Sequence, residues 1–173
     1  LTNLTIIDKA LKLIKENHKV SIIIDDIPLD DEKTFDIFRA GNTSGIFQFE
    51  SDGMKKYLKD LQPTEFEDLI FLNAAYRPGA MSYIPNYINR KKGLEPIEYP
   101  DPCLEDVLKT TYGFAIYQEQ VINIAVVYSG YSMGEADILR RAMGKKKKEV
   151  MAKEKEKFIK KAKEQGHQEK QAI

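Results

Sequence analysis

The 173-residue chain has no tryptophan, one cysteine and two histidines. A single thiol, Cys103, excludes an internal disulfide framework and a cysteine-built zinc site, and it points to the cytoplasm. His18 and His167 have neither the spacing of a metal pair nor that of a catalytic dyad. Ser44, Ser51 and Ser129 lack an elbow motif or an adjacent base, so acyl transfer has no candidate nucleophile. No phosphate-cradling loop or dinucleotide fingerprint occurs. No apolar run approaches the roughly 18 residues of a membrane span, and the first residues lack the basic-then-apolar layout of a signal peptide. Leu1 is not a start methionine, and Gln171-Ala172-Ile173 closes the sequence without a cap. Both ends read as cuts in a longer chain.

What is present is a soluble globular composition, 42% apolar and 31% charged, with Tyr and Phe spread through the first two thirds. The formal net charge of zero hides an asymmetry. Residues 140–173 hold 13 Lys/Arg against 5 Asp/Glu, whereas residues 1–139 hold 14 against 22. A basic end can meet phosphates while the acidic remainder faces solvent or other domains.

Apolar periodicity predicts mostly helices. Leu4, Ile7, Leu11 and Ile14 make an amphipathic stripe over 4–16. Asp31 is placed to cap a short helix through Arg39, which Gly41-Asn42 ends. Ser51 caps a helix carrying Met54, Tyr57, Leu58 and Leu61, and Phe66–Ala75 follows Pro63 as another. Tyr76-Arg77-Pro78-Gly79 is a turn, Ser82–Lys92 a helix, and 93–102 a loop. Ile116–Tyr128 reads as a helix buried on most sides. Ser132 with Glu135 fits a capping box for a helix ending near Gly144, and Lys147–Glu164 is a charged helix stopped by Gly166. Two segments read instead as extended or strand: the β-branched run Val20–Ile24 and the alternating Ile46–Phe49. The expected class is mainly α with a few short β-strands (α+β), with a small mixed lobe over 1–50 and a helical lobe over 51–173.

The strongest chemical signal is Leu139-Arg140-Arg141-Ala142-Met143-Gly144-Lys145-Lys146-Lys147-Lys148. With Ile138, Leu139, Ala142 and Met143 facing inward, Arg140 and Arg141 fall roughly 130° from that face and project as a pair. Arginine forks match phosphate oxygens bidentately, and lysines add point charge. The alternative is a solvated helix end whose cations complement the helix dipole. Along the last helix, Glu149 with Lys153 and Glu156 with Lys160 fit solubilising i,i+4 pairs, with contact to a DNA backbone as the other reading. Tyr117-Gln118-Glu119-Gln120 puts polar groups at the start of an apolar helix, either to satisfy orphan amides or to line a ligand cleft. The doublets Asp25-Asp26 and Asp30-Asp31 suggest a metal site, but adjacent strand residues point to opposite faces and Asp31 is better used as a cap.

The ordered set of segments carries further than any one of them. Ile27-Pro28-Leu29-Asp30-Asp31, Gly45-Ile46-Phe47-Gln48-Phe49-Glu50-Ser51, Gly53-Met54-Lys55, Tyr76-Arg77-Pro78-Gly79, Thr111-Tyr112-Gly113, Tyr117-Gln118-Glu119-Gln120-Val121, Ser129-Gly130-Tyr131-Ser132 and Gly134 through Lys147 occur in register. Together they resemble the family C replicative polymerases, the alpha subunits of bacterial DNA polymerase III. The resemblance implies templated addition of deoxynucleotides to a primer. It assigns 1–50 to the end of the palm and its connection, and 51–173 to a truncated fingers domain. It also implies that the aspartates holding two Mg²⁺ lie outside this chain, leaving no catalytic or metal residue within it. Arg140, Arg141, Lys145 and Lys146, with Arg77 and Gln118 near the cleft, match segments that would grip the incoming deoxynucleoside triphosphate. Lys147 and Lys148 would meet DNA. Implied partners are primer–template DNA, deoxynucleoside triphosphates and other holoenzyme subunits such as the sliding clamp, with no membrane. Ala80 departs from the family, where a second proline commonly follows Arg-Pro-Gly. The competing reading is a stand-alone helical module that binds nucleic acid through its basic end.

Overall fold

The computed structural model describes residues 2–145 and 148–168, and for Lys145 and Lys148 the backbone alone. The helices are α1 (Thr2–His18), α2 (Glu32–Arg39), α3 (Asp52–Leu61), α4 (Phe66–Ala75), α5 (Ile84–Lys91), α6 (Glu105–Leu108), α7 (Gln118–Ser129), α8 (Met133–Lys145) and α9 (Lys148–Glu164), with single 3₁₀ turns between some of them. Among the described residues there is no β-strand, so the expected α+β class is corrected to all-α. None of the described helices is long and apolar enough to cross a membrane.

The chain forms two compact units, residues 1–73 and 74–173. In the first, helix starts follow their caps. The Asp31 carboxylate accepts from the Thr34 N–H at 2.8 Å and its hydroxyl at 2.6 Å, opening α2. Ser51 Oγ accepts from the Met54 N–H at 3.3 Å, opening α3. These two helices pack together and bury Phe35, Phe38, Met54, Leu58 and Leu61. Helix α1 buries nothing within its unit, and Leu4, Ile6 and Leu13 are exposed.

The two expected strands fail for separable reasons. Val20–Ile23 has no partner strand among the described residues, and the chain then turns through a 3₁₀ segment at Ile24–Asp26. β-Branched composition favours extension, but a strand exists only when a neighbour completes its ladder. Ile46–Phe49 is a tight turn: the Phe49 N–H donates to the Ile46 carbonyl, and Gln48 is left-handed at φ 68°. The buried Thr43 hydroxyl donates to the Phe49 carbonyl at 2.6 Å, and the Phe49 ring meets Phe38 edge-on at 5.4 Å. The motif closes a loop rather than extending one.

The second unit is organised around α7, with α8 and α9 packed against it. One cluster joins Leu104, Leu108, Tyr128 and Ala162, the other Ala125, Tyr131, Ala136 and Leu139, and Phe158 of α9 packs against both. Gly113 is required where it stands. Its φ is +92°, and a Cβ there would lie 2.3 Å from the Glu98 carbonyl oxygen. Arg90 secures the same corner, donating to the Tyr112 carbonyl at 2.7 Å and to Glu95 at 3.0 Å beneath the Phe114 ring.

Candidate functional site

Helix α8 is fixed at its start before it presents anything at its end. The Ser132 N–H donates to Glu135 Oε2 at 2.9 Å, and the Glu135 N–H donates back to Ser132 Oγ at 3.3 Å. The expected capping box is therefore present. Glu135 also receives Lys157 and Lys161 of α9, each at 3.0 Å, and both ammonium groups lie near the Tyr131 ring at about 5 Å. The Ser132 N–H and the two lysines hold the Glu135 carboxyl down from its ordinary 4.5 to about 2. These contacts lock the register of α8 against α9. The i,i+4 pairs expected along α9, Glu149–Lys153 and Glu156–Lys160, do not form among the described residues. The helix spends two lysines on Glu135 instead.

The buried face of α8 is Ala136, Leu139 and Ala142, whereas Ile138 and Met143 are largely exposed. The face is rotated from the expected one, with Ala136 and Ala142 flanking Leu139 on it. At 100° per residue this leaves Arg140 about 100° from Leu139 and Arg141 about 160°. Arg140 is accordingly 31% exposed and Arg141 67%. The pair does not project symmetrically.

The polar start of α7 divides into two roles. Gln120 is buried and fully used. Its carbonyl oxygen accepts from the Ile116 and Tyr117 N–H groups at 2.8 and 2.9 Å. Its amide donates to Thr111 Oγ1 at 2.7 Å and to the Val107 carbonyl at 3.3 Å. That is the orphan-amide role. Gln118, two residues earlier, is exposed and its Oε1 accepts from Arg140 Nη1 at 3.0 Å.

Between these helices lies a hollow of about 310 Å³ lined by Gln118, Val121, Arg140, Arg141, Met143 and Gly144. Asp137 organises its cations. Its Oδ1 accepts from Arg140 Nε at 2.9 Å and Nη2 at 2.7 Å, and its Oδ2 lies 2.7 Å from Arg141 Nη2. The Arg140 bonds, and then the charge of both guanidiniums, hold the Asp137 carboxyl below its usual range. A guanidinium carries five N–H groups. The bonds to Asp137 and Gln118 leave further donors on both arginines, which line the hollow, and guanidinium donors suit anionic oxygens.

Of the other expected residues, Arg77 is exposed on the turn before α5 and does not line the hollow. Its carbonyl accepts from the Ala80 N–H at 3.1 Å, a bond that a proline at position 80 could not make. The backbone of Lys145 ends α8 and that of Lys148 begins α9, but their side chains, like Lys146 and Lys147 entirely, lie outside the described residues. The aspartate doublets are exposed, Asp31 serving as the cap of α2. Among the described residues no group of three or more His, Cys, Asp or Glu could hold a metal ion, so these residues do not fit a two-Mg²⁺ site. Asp137 was not singled out from the sequence. Its spacing of three and four residues to Arg140 and Arg141 is the signal that finds it.

Comparison with known proteins decides the family. The family model described as bacterial DNA polymerase III alpha subunit finger domain matches residues 3–166. The chain belongs to that finger-domain family. It is 44% identical over 172 residues to DNA polymerase III subunit alpha of Halalkalibacterium halodurans, covering 99% of this chain and 15% of that protein. The same-named protein of Staphylococcus aureus strain COL is 47% identical over 169 residues, covering 98% and 16%. That of Thermus aquaticus is 46% identical over 177 residues, covering 99% and 14%. The chain thus spans about one seventh of each of these relatives, and the hollow falls within the finger-domain match.

Proposed function

We propose that this chain is the fingers portion of a bacterial replicative DNA polymerase, and that its hollow on α7 and α8 grips the triphosphate of the incoming deoxynucleotide. In the whole subunit the primer 3′ oxygen bonds to the α-phosphorus and pyrophosphate leaves. The carboxylates that would hold the two Mg²⁺ lie outside this chain with the body of the palm, and residues 1–50 form the connection from it into the fingers. Arg140 and Arg141 bind phosphate oxygens, Gln118 orients Arg140, and Lys145 and Lys146 add positive charge. Lys147 and Lys148 meet the DNA backbone, and Arg77 lies at the cleft margin. Primer–template DNA, deoxynucleoside triphosphates and holoenzyme subunits such as the sliding clamp are the partners, in the cytoplasm.

The observation that carries this reading is the Arg140–Gln118 bond across two helices, with donors of both guanidiniums left over in a hollow. A solvated helix end needs no such cross-helix tether. The test is single-nucleotide incorporation against DNA binding in the full subunit. Arg140→Ala slows incorporation while primer–template affinity stays close to the parent's. Equal loss of both assigns the arginine to the DNA backbone.

A further inference from the structure

An anion, Asp137, is bonded to the cations of a hollow read as an anion site. Asp137 by itself repels phosphate, so its presence needs a reason. Both of its oxygens are engaged, by guanidiniums three and four residues ahead on the same helix. Arg140 is held on its Nε side by Asp137 and through Nη1 by Gln118. Arg141, far more exposed, has Asp137 as its one tether among the described residues. Without the carboxylate, neither long side chain would be held in the geometry that an in-line displacement needs.

We propose that Asp137 is a positioning residue, which holds Arg140 and Arg141 as one preformed fork aimed into the hollow beside Gln118. The inference rests on the triphosphate reading of that hollow. Its chemistry fixes a split between two observables. Removing the carboxylate makes the hollow more positive, which favours ground-state capture of a polyanion. It also frees the guanidiniums, which matters where attacking and leaving oxygens must be in line. Nucleotide affinity therefore holds or tightens while the chemical step slows. A residue needed only for folding gives a different result, a smaller active fraction with unchanged constants in the remainder.

The experiment is single-turnover incorporation by the full-length subunit on primed DNA across a range of nucleotide concentration, with active sites titrated. Asp137→Asn slows the maximal rate by about 10- to 100-fold, with nucleotide Kd unchanged or lower and DNA affinity little changed. Asp137→Glu, still anionic but one methylene longer, recovers part of the rate. If Asp137→Asn matches the parent while Arg140→Ala is slow, the positioning role alone is wrong. If Arg140→Ala and Arg141→Ala also match the parent, the triphosphate reading falls and this inference with it. A nucleotide Kd that weakens in step with the rate, or a loss confined to active fraction, also overturns the proposal.

Discussion

Two carboxylates two residues apart on α8, Glu135 and Asp137, each gather a pair of cations, and the pairs serve opposite ends. Glu135 draws its lysines from another helix, stacks them by an aromatic ring and completes a cap. Asp137 draws its arginines from its own helix and leaves their remaining donors facing open space. The first arrangement ties elements together. The second reaches α7 through the Arg140–Gln118 bond and leaves both guanidiniums lining a hollow. Charge alone does not separate structure from function here. What separates them is where the cations come from and what they face: Glu135 is shared between two helices, whereas Arg140 and Arg141 line a hollow.

The largest effect that would test this contrast is on the open pair. Replacing Arg140 and Arg141 together by Ala in the full subunit removes two charge-assisted contacts of about 1.5–3 kcal/mol each. Incorporation efficiency falls by about 100-fold or more, with melting temperature lowered by no more than the loss of the Arg140–Gln118 bond between helices. Arg140→Lys regains a fraction only, because an ammonium cannot form the fork.

Smaller, and of the opposite kind, is the effect of Glu135→Gln, read by urea unfolding at several pH values. The Glu135 carboxyl has a folded value of about 2 against an ordinary 4.5. A depressed carboxyl stabilises above its unfolded value, and the contribution is lost as pH falls through the folded one. The parent therefore loses stability between about pH 4.5 and 2 with a component that the Gln variant lacks. Coincident slopes in that window would remove Glu135 from the lock. Smallest is Lys157→Met or Lys161→Met, each leaving Glu135 one cation. Either lowers the urea midpoint less than Glu135→Gln does and leaves nucleotide incorporation near the parent's. A large drop in incorporation without a change in midpoint would place the lysine in the site instead.

Much of this architecture was readable from residue order. The stripe on α3, the span of α4, the caps at Asp31 and Ser51 and the Ser132–Glu135 box all depend on neighbours within a turn, and all appear where expected. The strand readings of Val20–Ile24 and Ile46–Phe49 failed because pairing is a non-local property that neither β-branched composition nor alternation supplies, although the extended alternative is met at Ile23. The face of α8 was misread in part: Leu139 and Ala142 are inside as expected, but Ala136 is inside with them while Ile138 and Met143 stand out. That error concealed the asymmetry of Arg140 and Arg141, and with it the clasp from Asp137. The two glutamines of α7 could not be told apart by sequence, since only the fold decides which meets Thr111 and which meets Arg140.

The central claim is that phosphate completes what Asp137 and Gln118 leave open. The most direct measurement is a structure of the full subunit bound to primed DNA and an unreactive nucleotide analogue. Arg140 and Arg141 nitrogens are expected about 2.7–3.1 Å from triphosphate oxygens, with Asp137 still bonded to both guanidiniums. A triphosphate held elsewhere, with these arginines on the DNA backbone or in solvent, would contradict it.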